Sequence, residues 1–504
     1  MIEQVVEGFF LILQWQNLLS IFIGVVIGVI IGMLPGLSPS MAVALASPIT
    51  LFMPPIPGLS LLLGIYKGGV YGGSISAILI GTPGTPEAAA TVFDGYPLTK
   101  EGKARIPLYA TLYASLGGDI IGILVLVLLS PMVAKFALLI GPAETAPLIL
   151  LALSIIIITS GTNKIKGFLA ATLGFLLATV GIDPILSCSR LCFGSLELAE
   201  GITLIPLLIG LFAIPEIITQ VVERVEIRME TQGVDLKGGP KYTLREFATH
   251  WKTFLRSAFL GAFIGAMPGL GSATAAFTCY AAAQKSSKHP ELYGKGSIEG
   301  LVACETGNNG TVGPALIPLV TLGIPGSATA AVLYGTLIIN GIVPGPFIFR
   351  DHGTIMYAVF IGLVIGAVML YPIAVTIFTY TTKAFYRIQK RYIFSAVFLL
   401  CVSGSYAIQN SMTDVYIMSI AGIGAYILKS FGFPMGPLLI AFILEPIFER
   451  AAREALVLSG NNLSEVVFES PISISLWLLL LAAALYVQGS KIIKRRKEKR
   501  ESRK

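Results

Sequence analysis

Four short stretches of this chain set glycine, proline and small hydroxyl residues inside otherwise apolar surroundings. They are Pro35-Gly36-Leu37-Ser38-Pro39-Ser40, Gly81-Thr82-Pro83-Gly84-Thr85-Pro86, Pro268-Gly269-Leu270-Gly271-Ser272 and Gly323-Ile324-Pro325-Gly326-Ser327. Proline and glycine interrupt a helix. A helix that restarts after such a break turns free N–H groups and the positive end of its dipole toward the gap. That arrangement suits a carboxylate. Carbonyls freed at the preceding helix end suit a small cation such as sodium. One Pro-Gly pair alone reads as a kink or a close helix contact. The hydroxyls of Ser38, Ser40, Thr82, Thr85, Ser272, Thr274 and Ser327 beside all four breaks favour a binding role.

Other polar residues stand out against the same background. Glu305-Thr306-Gly307-Asn308-Asn309-Gly310-Thr311 is the most polar stretch of the second-half core. A carboxylate at the bilayer centre costs about 3 kcal/mol, so Glu305 must face a cavity or a partner. The corresponding first-half stretch holds Lys67, the only basic residue before Lys100. Lys67 either binds a substrate carboxylate, pairs with Glu305 or snorkels. Asp119 is a lone acid in an apolar run, either a proton or cation ligand or a helix–helix hydrogen-bonding group. Glu87 reads as a first-turn acid favoured by the helix dipole, and Asp94 as part of a cytoplasmic turn or as a gate. The three histidines have no metal-ligand spacing and no phosphate-binding loop is present, so no metal or other cofactor is expected and direct ATP drive is unsupported.

The elements that position these residues follow from composition. Apolar types form 55% of the 504 residues and charged types 12%, against about 25% charged in a soluble domain. The chain therefore reads as an all-α, multi-pass integral membrane protein. The net charge of +7 is no nucleic-acid signal, because much of it sits in the terminal run Lys491–Arg500. That run reads as a cytoplasmic anchor with membrane lipid as its neighbour. The N-terminus lacks the basic start of a cleaved signal and reads as retained. Five cysteines are too few and scattered for a disulfide framework.

The second half repeats the first. Gly261 to Ser272 echoes Gly28 to Ser38, Gly323 to Ser327 echoes Gly81 to Thr85, and Pro437 with Pro446 echoes Pro206 with Pro215, at offsets of about 231 to 242 residues. Basic loops alternate so that the halves take opposite orientations, giving two inverted-topology repeats. Met41–Phe52 and Gly271–Ala283 are short for a span and read as re-entrant or discontinuous helices. The expected division is a first repeat over 1–222, a cytoplasmic linker over 223–252, a second repeat over 253–455, a loop and C-terminal transmembrane helix over 456–490, and a basic tail over 491–504.

Two long runs carry a family resemblance: GIYKGGVYGGSISAILIGTPGTPEAAATVFDGYPLTKEGKA and IEGLVACETGNNGTVGPALIPLVTLGIPGSATAAVLYGTLIINGIVPGP. Together with the two Pro-Gly-Leu segments they resemble the large membrane subunit of tripartite tricarboxylate transporters, over roughly residues 15 to 450. The resemblance implies a secondary active transporter, not an enzyme, that imports a small organic carboxylate with a sodium or proton gradient. It implies two partners, a small membrane subunit and a periplasmic or extracytoplasmic solute-binding protein, and a place in the inner or cytoplasmic membrane. Matching positions are Gly36, Ser38, Thr82, Pro83, Gly84, Thr85, Asn308, Asn309, Pro325, Gly326 and Ser327. The Cys304-Glu305-Thr306-Gly307 run and Lys67 depart from the family pattern beside the expected site, which leaves the class of carboxylate open. An ion channel and an intramembrane enzyme are the competing readings.

Overall fold

The computed structural model describes residues 2–160, 163–183, 185–223, 236, 240–381, 390–468, 470–483 and 485. The basic tail, most of the expected linker and the basic segment at 383–389 lie outside these residues. Among the described residues the fold is helical apart from one two-residue ladder, Gly181–Ile182 against Ser189–Arg190. Six helices among the described residues are long and apolar enough to cross a bilayer: Trp15–Gly32, Arg105–Ala137, Pro142–Thr159, Leu204–Val222, Gly353–Tyr380 and Tyr392–Gln409. The chain is an all-α multi-pass membrane protein.

It forms two compact units, one of Met1–Ala134 with Thr203–Ile427 and one of Lys135–Ile202 with Leu428–Lys504. Each unit takes segments from both sequence halves.

The first unit is built on Pro55–Ile80, a 26-residue helix buried from Pro57 to Leu79. Burial this complete needs neighbours at close range, and glycine provides it. Gly24, Gly28 and Gly32 on Trp15–Gly32 face the backbone of residues 61 to 69, while Gly64, Gly68 and Gly72 face that of residues 21 to 33. This is small-residue packing at four-residue spacing on both partners. The same contact recurs in the second half. A methyl group at Gly28 would lie 2.9 Å from the Ile65 Cα, and one at Gly261 would lie 2.9 Å from the Gly307 Cα. One at Gly32 would lie 2.9 Å from the Gly69 Cα, and one at Gly265 would lie 2.7 Å from the Thr311 Cα.

The halves also differ. Pro55–Ile80 is continuous, whereas its second-half counterpart divides into Ile298–Asn309 and Leu316–Leu322, with Gly310, Gly313 and Pro314 between. The apolar run from Phe9 to Leu34 is two helices, Ile2–Ile12 and Trp15–Gly32, separated at Leu13 and Gln14. After the breaks, helices are short: eight residues in Pro39–Ala46, 16 in Gly271–Ser286 and 12 in Ala328–Ile339. At 1.5 Å per residue they run about 12 to 24 Å, less than the roughly 30 Å of a bilayer core.

In the second unit, Met435–Leu458 packs against Pro142–Thr159 and Lys164–Ala178, and Pro471–Ala483 follows Leu463–Phe468. Here Asp183 is a hub outside the membrane-spanning segments. It accepts from Arg453 at 2.9 and 3.1 Å and from the Leu186 and Ile185 amides at 2.9 and 2.8 Å. Glu449 in turn accepts from Arg190 at 2.8 and 3.2 Å. The Arg453 hydrogen bonds, joined by those two amides, hold the Asp183 carboxyl well below the usual carboxylate range.

Two outcomes follow for stability. Gly68→Ala forces a methyl against the Val25 and Val29 backbone and should lower stability by about 1–3 kcal/mol. Gly424→Ala meets nothing within 4 Å and should be neutral or slightly stabilising; thermal unfolding in detergent compares the two. The folded pKa of Asp183 lies below the unfolded value of about 3.9, so its stabilising contribution is present above that value and is lost as pH falls toward the folded one. Asp183→Asn should therefore lower the melting temperature at pH 7 and flatten its decline below about pH 4. An unchanged acid limb would rule this network out as its source.

Candidate functional site

The four breaks meet. Residues from all of them line one cavity of about 280 Å³ in the first unit: Ser38, Pro39 and Ser40, Pro86 and Glu87, Gly271 and Ser272, and Gly326 through Thr329. Tyr66, Phe212, Gly265, Thr311 and Ala315 complete the wall. The first turns of three α-helices and of the short Pro86–Ala88 turn thus face a common space. Ser38 caps Pro39–Ala46 by accepting from the Met41 amide at 3.2 Å, and Ser327 caps Ala328–Ile339 by accepting from the Ala330 amide at 3.1 Å. Gly81 and Gly323 end the preceding helices in the left-handed conformation, at φ 66° and 69°, where glycine is unstrained.

Other residues of the breaks hold the loops in place. The Gly269 amide donates to the Gly326 carbonyl at 2.8 Å, joining the two second-half breaks. The Gly84 amide donates to the Gly73 carbonyl at 3.3 Å. Gly84 sits against the Gly32 carbonyl and Thr85 against Gly73, so no larger residue fits at either glycine. Thr329 donates to the Ser40 hydroxyl at 3.1 Å, a direct bond between a first-half and a second-half break.

Of the sixteen residues expected at a site, Ser38, Ser40, Gly271, Ser272, Gly326 and Ser327 line the cavity. Thr82, Pro83, Gly84, Thr85, Gly269 and Pro325 lie in the supporting loops. Gly36 adopts φ 95° and faces Gln220 and Glu216. Lys67, Asn308 and Asn309 belong to the packed core. Lys67 pairs with Asp119, each 1% exposed; of the three roles open to it, pairing is the one taken, with Asp119 in place of Glu305.

Glu305 instead sits in a cradle of neutral donors. Its carboxylate accepts from Ser74 at 2.5 Å, from Thr91, from Ser115 at 3.0 Å and from the Asn309 amide at 3.4 Å. Asn309 also donates to Ser115 at 2.9 Å. Three first-half helices, Pro55–Ile80, Ala89–Lys100 and Arg105–Ala137, thereby converge on one second-half side chain. Asp94 lies inside Ala89–Lys100 and not in a turn. It accepts from the amides of Gly294, Gly296 and Ser297 at 2.8 to 2.9 Å and from Tyr280 at 2.8 Å.

Sequence reasoning assigned Glu87 to capping and gave Tyr66 and Phe212 no place at the site. The signal for Glu87 was available, since the bilayer argument applied to Glu305 holds equally for an acid one residue past Pro86. Phe212, an aromatic in an apolar helix, carries no such signal.

Comparison with known proteins gives an independent sequence finding. The profile of the tripartite tricarboxylate transporter TctA family matches residues 18–440. An uncharacterized 52.8 kDa protein encoded 3′ of ttuC′ in the TAR-I region of Agrobacterium vitis is 32% identical over 469 residues, covering 93% of this chain and 92% of that protein. A second uncharacterized protein, from the TAR-II region of the same organism, is 32% identical over 216 residues, 43% of this chain and 88% of its own length. No solved structure matches.

The Glu305 cradle makes a stability claim. Glu305→Leu strands the Ser74, Thr91, Ser115 and Asn309 donors in an apolar core, and unmet buried groups cost about 1–3 kcal/mol each. A loss of at least about 3 kcal/mol is expected, with Glu305→Gln distinctly milder. Thermal unfolding of both variants in detergent checks this, and equal effects would argue against the cradle.

Proposed function

The chain belongs to the tripartite tricarboxylate transporter TctA family, a family of transporters and not of enzymes, and from that premise we propose that it is the membrane subunit that carries a small organic carboxylate across the cytoplasmic membrane. The observation that carries this reading is the convergence of four helix breaks, two from each half, on one cavity. Its volume, about 280 Å³, lies near the lower end of small-molecule sites, which suits a compact anion. Helix N-termini and hydroxyls receive the substrate carboxylate groups.

The repeated glycine contacts of Gly28 and Gly261, and of Gly32 and Gly265, support two related repeats. In the proposed topology these repeats are inverted, the post-break helices are re-entrant, and rocking about the cavity exposes it alternately to each side. A sodium or proton gradient drives uptake. An extracytoplasmic solute-binding protein delivers the carboxylate, a small membrane subunit completes the assembly, and the C-terminus is cytoplasmic.

Uptake of labelled citrate and other small carboxylates into proteoliposomes tests this, with the binding protein and small subunit present and with sodium and proton gradients imposed separately. The wild type should accumulate at least one carboxylate only under a gradient. Ser272→Trp, which fills the cavity, should cut the initial rate at least about tenfold, while Gly424→Ala should not. Gradient-dependent uptake that survives Ser272→Trp would place the site elsewhere.

A further inference from the structure

A second cavity of the first unit, about 200 Å³, is bounded by residues of Trp15–Gly32, of the first break, of Pro39–Ala46 and of Lys390–Gln409. Among the described residues, every side chain in its wall is apolar, Leu37, Met41, Leu45, Ile393 and Val397 included. Water there finds no hydrogen-bonding side chain, and dry cavities of this size take apolar ligands. The hairpin does not by itself demand such a lining. Counted from Pro35 and Pro268, the second-half positions that match Met41 and Leu45 are Thr274 and Thr278.

Depth and charge indicate what fills it. Two of the bounding helices are long and apolar enough to cross a bilayer. Phe398, Leu399 and Leu400, which follow Val397, are exposed, so this wall borders lipid. The helix Lys390–Gln409 opens with Lys390-Arg391, and Ile393 and Val397 follow three and seven residues after Lys390. At 1.5 Å per residue they stand about 4 and 10 Å along the helix from its basic start, the depth at which acyl chains begin beneath the headgroup layer. Basic residues at the end of a membrane helix attract anionic headgroups.

We propose that this cavity is an acyl-chain site for an anionic phospholipid of the leaflet that Lys390 and Arg391 border, and that the bound chain props the first break from behind. Leu37 lines the apolar cavity, and the residues that follow it, Ser38, Pro39 and Ser40, line the polar one. The first break is therefore a partition, with the acyl chain on one side and the candidate carboxylate site on the other. Met41, Ala42 and Leu45 carry the apolar contact along Pro39–Ala46, whose first turn Ser38 caps. A filled cavity packs that helix on its lipid side, whereas a void gives its lining no partner atoms. The chain site stands on its own; its effect on uptake rests on the carboxylate-transport reading.

Photolabelling of the purified full-length protein in phosphatidylcholine nanodiscs tests the site, with a trace of phosphatidylglycerol that carries a diazirine in its acyl chain. Peptide mass spectrometry should find the label concentrated on residues 30–45 and 393–397, over the lipid-facing part of Arg105–Ala137. An equal trace of phosphatidylcholine with the same diazirine chain should label these segments several-fold less. Val397→Trp and Ile393→Trp, which fill the cavity, should each remove that label and leave the label on Arg105–Ala137 unchanged. Melting curves show which variants are folded, and the two wild-type comparisons decide if neither is. Even labelling of all lipid-facing helices, equal labelling by the two lipids, or full labelling in a folded variant overturns the proposal. Carboxylate uptake with and without phosphatidylglycerol tests the prop. Wild-type uptake should depend on that lipid, and Val397→Trp should abolish the dependence; uptake indifferent to the lipid overturns the prop. No uptake in any lipid, with the cavity still labelled, would instead sink the transport reading and leave the acyl-chain site.

Discussion

A helix broken inside a membrane leaves amide and carbonyl groups that lipid cannot satisfy, and the first unit is shaped by where those groups go. Some are met by the protein. Ser38 and Ser327 take one amide each, the Gly269 amide reaches the Gly326 carbonyl, and the Gly84 amide reaches the Gly73 carbonyl. The first-turn amides that these bonds leave over surround the cavity. Close approach is a precondition, because the Gly84 loop touches the Gly32 carbonyl. The glycines of Trp15–Gly32 and Pro55–Ile80 are therefore part of the site's construction as well as of its packing.

The buried charges divide by task. Asp94 and Glu305 each bind groups from the opposite half of the chain, and neither uses a cation to do so. Neutral donors compensate a carboxylate without a second charge to desolvate. Both acids also engage Ala89–Lys100, Asp94 as one of its residues and Glu305 through Thr91. The helix after the second break is thus tied to Ile298–Asn309 through Thr91 and to the loop that leads into it through Asp94. Across the cavity itself, the first and fourth breaks share the single Thr329–Ser40 bond. The ties are thus several along one side and a single hydrogen bond across the gap.

The breaks were legible in the sequence because glycine and proline have backbone consequences that hold in any context. Their convergence was not, since no local rule joins residues more than 230 positions apart, and only the internal repeat hinted at it. Partner choice was harder still. Lys67 found Asp119, although Glu305 was the acid in the matching stretch, because packing and not sequence correspondence decides which side chains meet. The break at Leu13 and Gln14 was hidden by the absence of glycine and proline. The Asp183 network lay in a loop with no periodicity to read. Glu87 does stand in the first turn of Pro86–Ala88, as read, but the helix dipole explains such an acid so well that its place in the cavity wall went unread.

An arginine in the wall would have fixed a carboxylate by two parallel hydrogen bonds and counted its charge at once. Hydroxyls and backbone amides do neither. They fit oxygen atoms in several arrangements, so on the proposed reading selection among carboxylates falls to the volume of the cavity and to the charge that accompanies the substrate. On the reading proposed above, that charge is brought in and not built in. A site with a fixed cation would hold its anion whether or not a gradient existed. A site completed by an entering ion favours the anion only while that ion is present, and this dependence of one ligand on the other is the thermodynamic content of coupling.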